Sequence, residues 1–231
     1  MKPMNGVVEG IVTAVKEGEV KVKYPWLHEE EGEEKESDWI RIATSMAGND
    51  RGTFFMPELE DEVLVAFKHG DFNSPYIIGF LWNGKDKTPE KDTKKRKIKT
   101  KSGHIVEFDD NTAVEKITIQ SKSKHKIELN DKFPGRITIE SAGKQKIEIN
   151  DTPPGSITIT TNNPGASINI NTSTGMVKID CLNAMVMAKT NVTVQAPLTT
   201  FTGIVQTQLL QSQAVISSAY NPLVPGNLFG L

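Results

Sequence analysis

From Gly103 onward the chain runs in short bursts of two apolar residues separated by one polar residue, recurring about every ten positions. The pairs are Val106 and Phe108, Ile117 and Ile119, Ile127 and Leu129, and Ile137 and Ile139. They continue as Ile147 and Ile149, Ile157 and Ile159, Ile168 and Ile170, and Val177 and Ile179. Residues two apart on a strand share a face, so each pair predicts a short strand with one narrow apolar strip. The segments beginning Gly103-His104-Ile105-Val106, Lys124-His125-Lys126-Ile127 and Lys144-Gln145-Lys146-Ile147 align at a period of about 20 residues, two strands per unit. Pro134-Gly135, Pro154-Gly155 and Pro164-Gly165 punctuate the runs as turns.

The pattern before residue 85 is different. Val7 to Val15 and Glu19 to Tyr24 are β-branched runs separated by Lys16-Glu17-Gly18, a hairpin signal. Further strands are predicted over Trp39 to Thr44, Gly52 to Met56, Glu62 to Phe67 and Pro75 to Leu81. Short strands with no helical period predict a closed barrel of the OB type over residues 1–84. His28 to Asp38 holds six glutamates and is expected as a solvated loop. Residues 85–102 read as a basic linker, with seven basic side chains against one aspartate between Lys91 and Lys101.

An isolated stack of such strands leaves its strip in water, which invites association. Three chains turning their strips toward a common axis would bury them, with the sixteen paired residues named above as the trimer core. A monomeric meander packed on another domain is the alternative. The repetitive region is placed at residues 103–205 and a tip segment at 206–231. Between Cys181 and Leu231 the only charged side chain is Lys189, which suits a narrow tip in contact with other chains, and Ile204 to Ala219 is a candidate short helix. The expected fold class is all-β: an OB barrel followed by an elongated, intertwined trimeric β-helix.

Composition narrows the chemistry. The formal charge of −2 recommends neither nucleic acid nor an anionic membrane as partner, and the basic run lacks interleaved aromatics for stacking on bases. One cysteine, Cys181, excludes an intrachain disulfide. There is no nucleophile elbow, phosphate loop or metal-binding histidine pair, so no catalytic residue, metal ligand or cofactor is assigned. His104 and His125 occupy equivalent repeat positions, as products of the repeat. The N-terminus lacks the apolar run of a signal peptide, and no stretch approaches the ~20 apolar residues of a membrane span. Assembly in the cytoplasm is therefore expected.

The segments Gly18 to Trp26, Trp39 to Ala43, Gly52 to Pro57, Asp61 to Phe67, Gly70-Asp71 and Pro75 to Gly79, in this order and spacing, resemble the OB domain of phage baseplate assembly protein V and the VgrG spikes of type VI secretion. Ser102-Gly103-His104 through Asp110, then Ile117-Thr118-Ile119, resembles the entry into the family's spike. The resemblance implies a homotrimeric central spike of a contractile injection particle. Its barrels would form a collar on a separate baseplate hub protein, and its tip, with room for a PAAR-like capping protein, would be driven through a target envelope. The resemblance leads us to expect no counterpart of the hub region that precedes the OB domain in VgrG fusions, and the interval from Asn83 to Lys101 is too short for the lysozyme domain of some relatives. The four histidines all precede residue 126, so the tip iron site of some phage spikes is not expected. Two other readings are a receptor-binding fibre or adhesin, and an OB-fold binder of nucleic acid or glycan.

Overall fold

A computed structural model of the chain describes residues 4, 6–28, 34–162, 165–208 and 211. The chain divides into two units, residues 1–183 and 184–231. All regular elements lie in the first, and its described residues contain no α-helix.

The first eight strands are β1 (Val7–Lys16), β2 (Glu19–His28), β3 (Glu34–Glu36), β4 (Ile40–Ile42), β5 (Ala47–Gly48), β6 (Arg51–Gly52), β7 (Glu62–Phe67) and β8 (Pro75–Leu81). Their main sheet runs β1-β7-β8-β4-β2, and β1 also pairs with β2, so five strands close into a barrel. All contacts around it are antiparallel except β4 with β8. Two-residue alternation fills the interior: Val20, Val22 and Tyr24 from β2 meet Val63, Val65 and Phe67 from β7, with Val12, Ile40 and Ile77. Gly10 is required where it stands, because a Cβ there would lie 3.1 Å from Val22 Cγ2 and 3.3 Å from Val65 Cγ2. The Tyr24 hydroxyl is buried with no hydrogen-bond partner among the described residues. Burial away from water pushes its pKa up to about 12.

Three expectations for this half change. Gly52 to Met56 is not a strand; only Arg51–Gly52 pairs, in a small hairpin with β5, and Phe54 and Phe55 stand exposed. The strand expected over Trp39 to Thr44 shrinks to Ile40–Ile42. Within the acidic segment, Glu34–Glu36 adds to β2 as an edge strand. Glu36 is held there by Thr13 Oγ1 at 2.7 Å and Lys21 Nζ at 3.2 Å, contacts between distant residues that a count of like charges does not reveal. Residues 29–33 lie outside the described set.

The second sheet comprises β9 (Lys95–Lys99), β10 (Ile105–Asp109), β11 (Lys116–Gln120), β12 (Lys126–Asn130), β13 (Arg136–Glu140), β14 (Lys146–Asn150), β15 (Ser156–Thr160), β16 (Ser167–Asn171) and β17 (Met176–Asp180). Each strand pairs antiparallel with its sequence neighbour, so a single chain forms a nine-stranded meander. The basic run read as linker is therefore, over Lys95–Lys99, the first strand of the sheet. Lys97 and Lys95 fit because β10 offers Glu107 and Asp109 directly across from them. The helix considered over Ile204 to Ala219 does not form in residues 204–208; most of the remainder lies outside the described residues.

Repeated turns fix the register. On one edge the hydroxyls of Thr100, Ser121 and Ser141 accept the backbone N–H of His104, His125 and Gln145 at 3.0, 3.2 and 3.1 Å. The residue preceding each of these three acceptor-bonded positions is left-handed: Gly103 at φ 97°, Lys124 at 71° and Lys144 at 68°. On the other edge, Asn130, Asn150 and Asn171 accept the N–H two residues on, at 3.0, 2.9 and 3.1 Å. Successive turns are also stitched together, as His104 Nδ1 accepts the N–H of Lys122 at 3.3 Å and His125 Nδ1 that of Ala142 at 3.2 Å. Replacing Ile77, fully buried in the barrel, with alanine is expected to cost about 2–5 kcal/mol, read from the urea midpoint of barrel unfolding.

Candidate assembly interface

The register of the meander sorts its side chains into columns. On one face, column A runs Ile98, Val106, Ile119, Ile127, Ile139, Ile147, Ile159, Ile168 and Ile179. Column B runs Arg96, Phe108, Ile117, Leu129, Ile137, Ile149, Ile157, Ile170 and Val177. The structure thus brings all sixteen residues singled out from the sequence onto one face. It adds Ile98, missed because its strand was read as linker; the signal was the alternation Arg96-Lys97-Ile98-Lys99 within the basic run.

This apolar face is bare. Most of its isoleucines are exposed, and exposure reaches 60% and 64% at Val177 and Ile179. Among the described residues no element covers it. A continuous uncovered strip of branched aliphatic side chains is what marks a surface for association.

The opposite face is polar, yet its centre is better shielded. Its middle column runs Lys97, Glu107, Thr118, Glu128, Thr138, Glu148, Thr158, Asn169 and Lys178, with glutamate and threonine alternating from Glu107 to Thr158. Thr138 is only 7% exposed. Long basic side chains bracket the glutamates: Lys126 and Lys116 reach Glu128 at 3.3 and 3.8 Å, and Arg136 reaches Glu148 at 3.5 Å, with Lys146 closer still. Long basic side chains can cover a surface with their aliphatic stems while their charged heads pair. The Lys146 hydrogen bond, foremost, holds the Glu148 carboxyl below the usual range. The polar columns therefore satisfy themselves within one chain, while the apolar columns do not.

A denser cluster joins the segment after the barrel to the head of the sheet. Lys97 Nζ lies 2.5 Å from Glu90 and 2.6 Å from Glu107, and Lys95 lies 3.2 Å from Asp109. Asn111 Nδ2 donates to Asp92 at 2.6 Å and to Asp109 at 2.9 Å. Hydrogen bonds from Lys97, then from the backbone N–H groups of Lys91 and Asp92, pull the Glu90 pKa down to about 2. At the sheet edge, Lys101 Nζ bonds Glu58 of the barrel at 2.7 Å. Nearby, Phe55 and Met56 line two barrel grooves, of about 510 and 400 Å³, the second of which includes Trp82. No group of three or more histidine, cysteine or acidic side chains able to hold a metal occurs among the described residues.

A closed five-stranded barrel leading into a one-sided strand stack defines an OB domain mounted on a repetitive sheet. Residues 4–82 match the family model of the type VI secretion system/phage-baseplate injector OB domain. The barrel is an injector OB domain of the kind carried by VgrG-type spike proteins. Over 72 residues, 31% of this chain, it is 36% identical to the type VI secretion system spike protein VgrG4b of Pseudomonas aeruginosa, of which the match spans 9%. A longer match, 26% identical over 125 residues and 49% of this chain, covers 17% of the spike protein VgrG1c of the same organism. The actin cross-linking toxin VgrG1 of Vibrio cholerae is 33% identical over 72 residues, 31% of this chain and 7% of its own length. The chain thus spans less than a fifth of the length of these relatives.

Glu90 carries a lowered pKa in the folded state, so its contribution to stability is complete above the ordinary carboxylate range and is lost as pH falls toward about 2. Acidification through that window is expected to lower the melting temperature of the full chain, and Glu90→Gln to flatten the dependence; calorimetry between pH 5 and pH 2, values set by the ordinary carboxylate range and the lowered one, checks both.

Proposed function

We propose that the chain is the central spike of a contractile injection particle, working as a homotrimer whose sheets turn their apolar faces inward. The observation that carries this reading is the bare two-column aliphatic face placed directly after an injector OB barrel. Burying a side chain of this size stabilises by about 1.5–3 kcal/mol, so a face bearing seventeen such residues per chain has a strong drive to be covered.

In this arrangement the barrels form a collar against a separate baseplate hub protein, with exposed Phe54, Phe55 and Trp82 supplying apolar contact surface. The polar columns face water on the outside. Load from sheath contraction passes along the backbone hydrogen bonds of the meander and the interlocked aliphatic columns, so the role is mechanical and needs no catalytic group. A PAAR-like protein caps the C-terminal end of the assembly, and that end enters the target envelope first. Absence of an enzymatic function in this chain is part of the proposal.

Sedimentation of the full chain is expected to give a three-chain mass. Ile137→Asp or Ile147→Asp places carboxylates on the axis without partners and is expected to abolish that species. Glu148→Gln, on the opposite face, is expected to leave it intact. A monomer for the unmodified chain, or trimers in both aspartate variants, overturns the reading.

A further inference from the structure

The two apolar columns hold one charged residue. Arg96 stands at the head of column B, directly across from Phe108 and beside Ile98 of column A, and every other position in both columns is aliphatic or aromatic. Its guanidinium is turned to the sheet edge, where Nη1 meets Asp110 Oδ2 at 2.5 Å and the Lys94 carbonyl at 3.0 Å. Both charged side chains are more than half exposed.

This matters because the rest of the face repeats. From Ile117 to Ile170 the columns are almost wholly isoleucine, and a shift of two strands returns nearly the same surface. Two strand spacings are about 10 Å. Copies of the chain that meet through this face would therefore find several registers of similar packing energy, as happens wherever a pattern is repetitive. Over Ile117 to Ile170 side-chain size offers little discrimination, since Leu129 is an isomer of isoleucine; Phe108, next to Arg96 in column B, is the one larger side chain.

We infer that Arg96 is a register key for association with further copies of this chain, an inference that rests on the inward-facing assembly proposed above. With copies level, the guanidinium lies at the end of the apolar columns, paired to Asp110 and reached by water. A copy that slides by one repeat carries Arg96 onto the isoleucines of its neighbours, or brings a neighbour's isoleucines over Arg96. The charge then loses water without gaining a partner, which makes the slipped state unfavourable. A single polar residue in an otherwise apolar seam fixes register in coiled coils by the same physics, at some cost in stability.

The test uses Cys181, the one cysteine of the chain, as a spin-label site on the 231-residue chain, with distances between copies measured by pulsed electron resonance. The unmodified chain is expected to give one narrow distance population. Arg96→Ile, which extends column B by one aliphatic residue, is expected to add a population of longer distances from copies offset axially by about 10 Å. The same variant is expected to melt at an equal or higher temperature, whereas a residue of merely structural value would lower the melting temperature and leave the distances unchanged. Arg96→Lys keeps the charge and is expected to restore the single population. A narrow, unshifted population in Arg96→Ile overturns the register role while leaving the inward-facing assembly standing. Absence of any distance between copies in the unmodified chain overturns the assembly and the key together.

Discussion

The structure depends on one constraint: a strand satisfies its backbone through its neighbours but exposes its two faces separately. In the second sheet every strand from β10 to β16 is paired on both sides, so these strands find their ladder partners within one chain. One face then closes its own account with ion pairs, as Glu128 and Glu148 sit between basic side chains drawn from their own and adjacent strands. The aliphatic face has no such recourse. Dispersion and the hydrophobic effect need a second surface, and this chain supplies none among its described residues.

The barrel resolves the same constraint in the opposite way. Curving a sheet until β1 meets β2 turns one face inward, and Val20, Val22, Tyr24, Val63, Val65 and Phe67 then bury one another. The close approach at Gly10 is the mark of that closure. A barrel folds on its own core, while a meander of five-residue strands with two apolar positions each does not curl tightly enough to do so. The two halves therefore have different requirements for partners although both are built of alternating strands. The junction between them is ionic: Glu90, Lys97, Glu107, Lys95 and Asp109 form a chain of alternating charge that fastens the segment after the barrel to the first two strands of the sheet.

Much of this was legible in the sequence, for a physical reason. Period-two alternation is a local property, so the positions of β10 to β17 and the identity of the aliphatic face follow from residue spacing alone. The order and spacing of barrel segments likewise pointed to the injector OB domain that the family model and the VgrG relatives match. The misreadings have a common cause. Lys95–Lys99 looked like a solvated connector because its carboxylate partners lie on another strand. Glu34–Glu36 looked like loop because Thr13 and Lys21, which hold Glu36, are distant in the chain. Charge runs are read by composition, whereas their structure is decided by what stands across from them.

Which residues share a face, where the turns fall and that the back half repeats could all be read from the linear pattern, because each is set by neighbours within a few residues. Strand pairing in three dimensions settled that the repeats join as a nearest-neighbour meander, that the basic run heads it, and that Arg96 shares a face with eight apolar rungs. Those facts depend on register between strands, and register is fixed by hydrogen bonds between residues that the linear pattern leaves unpaired.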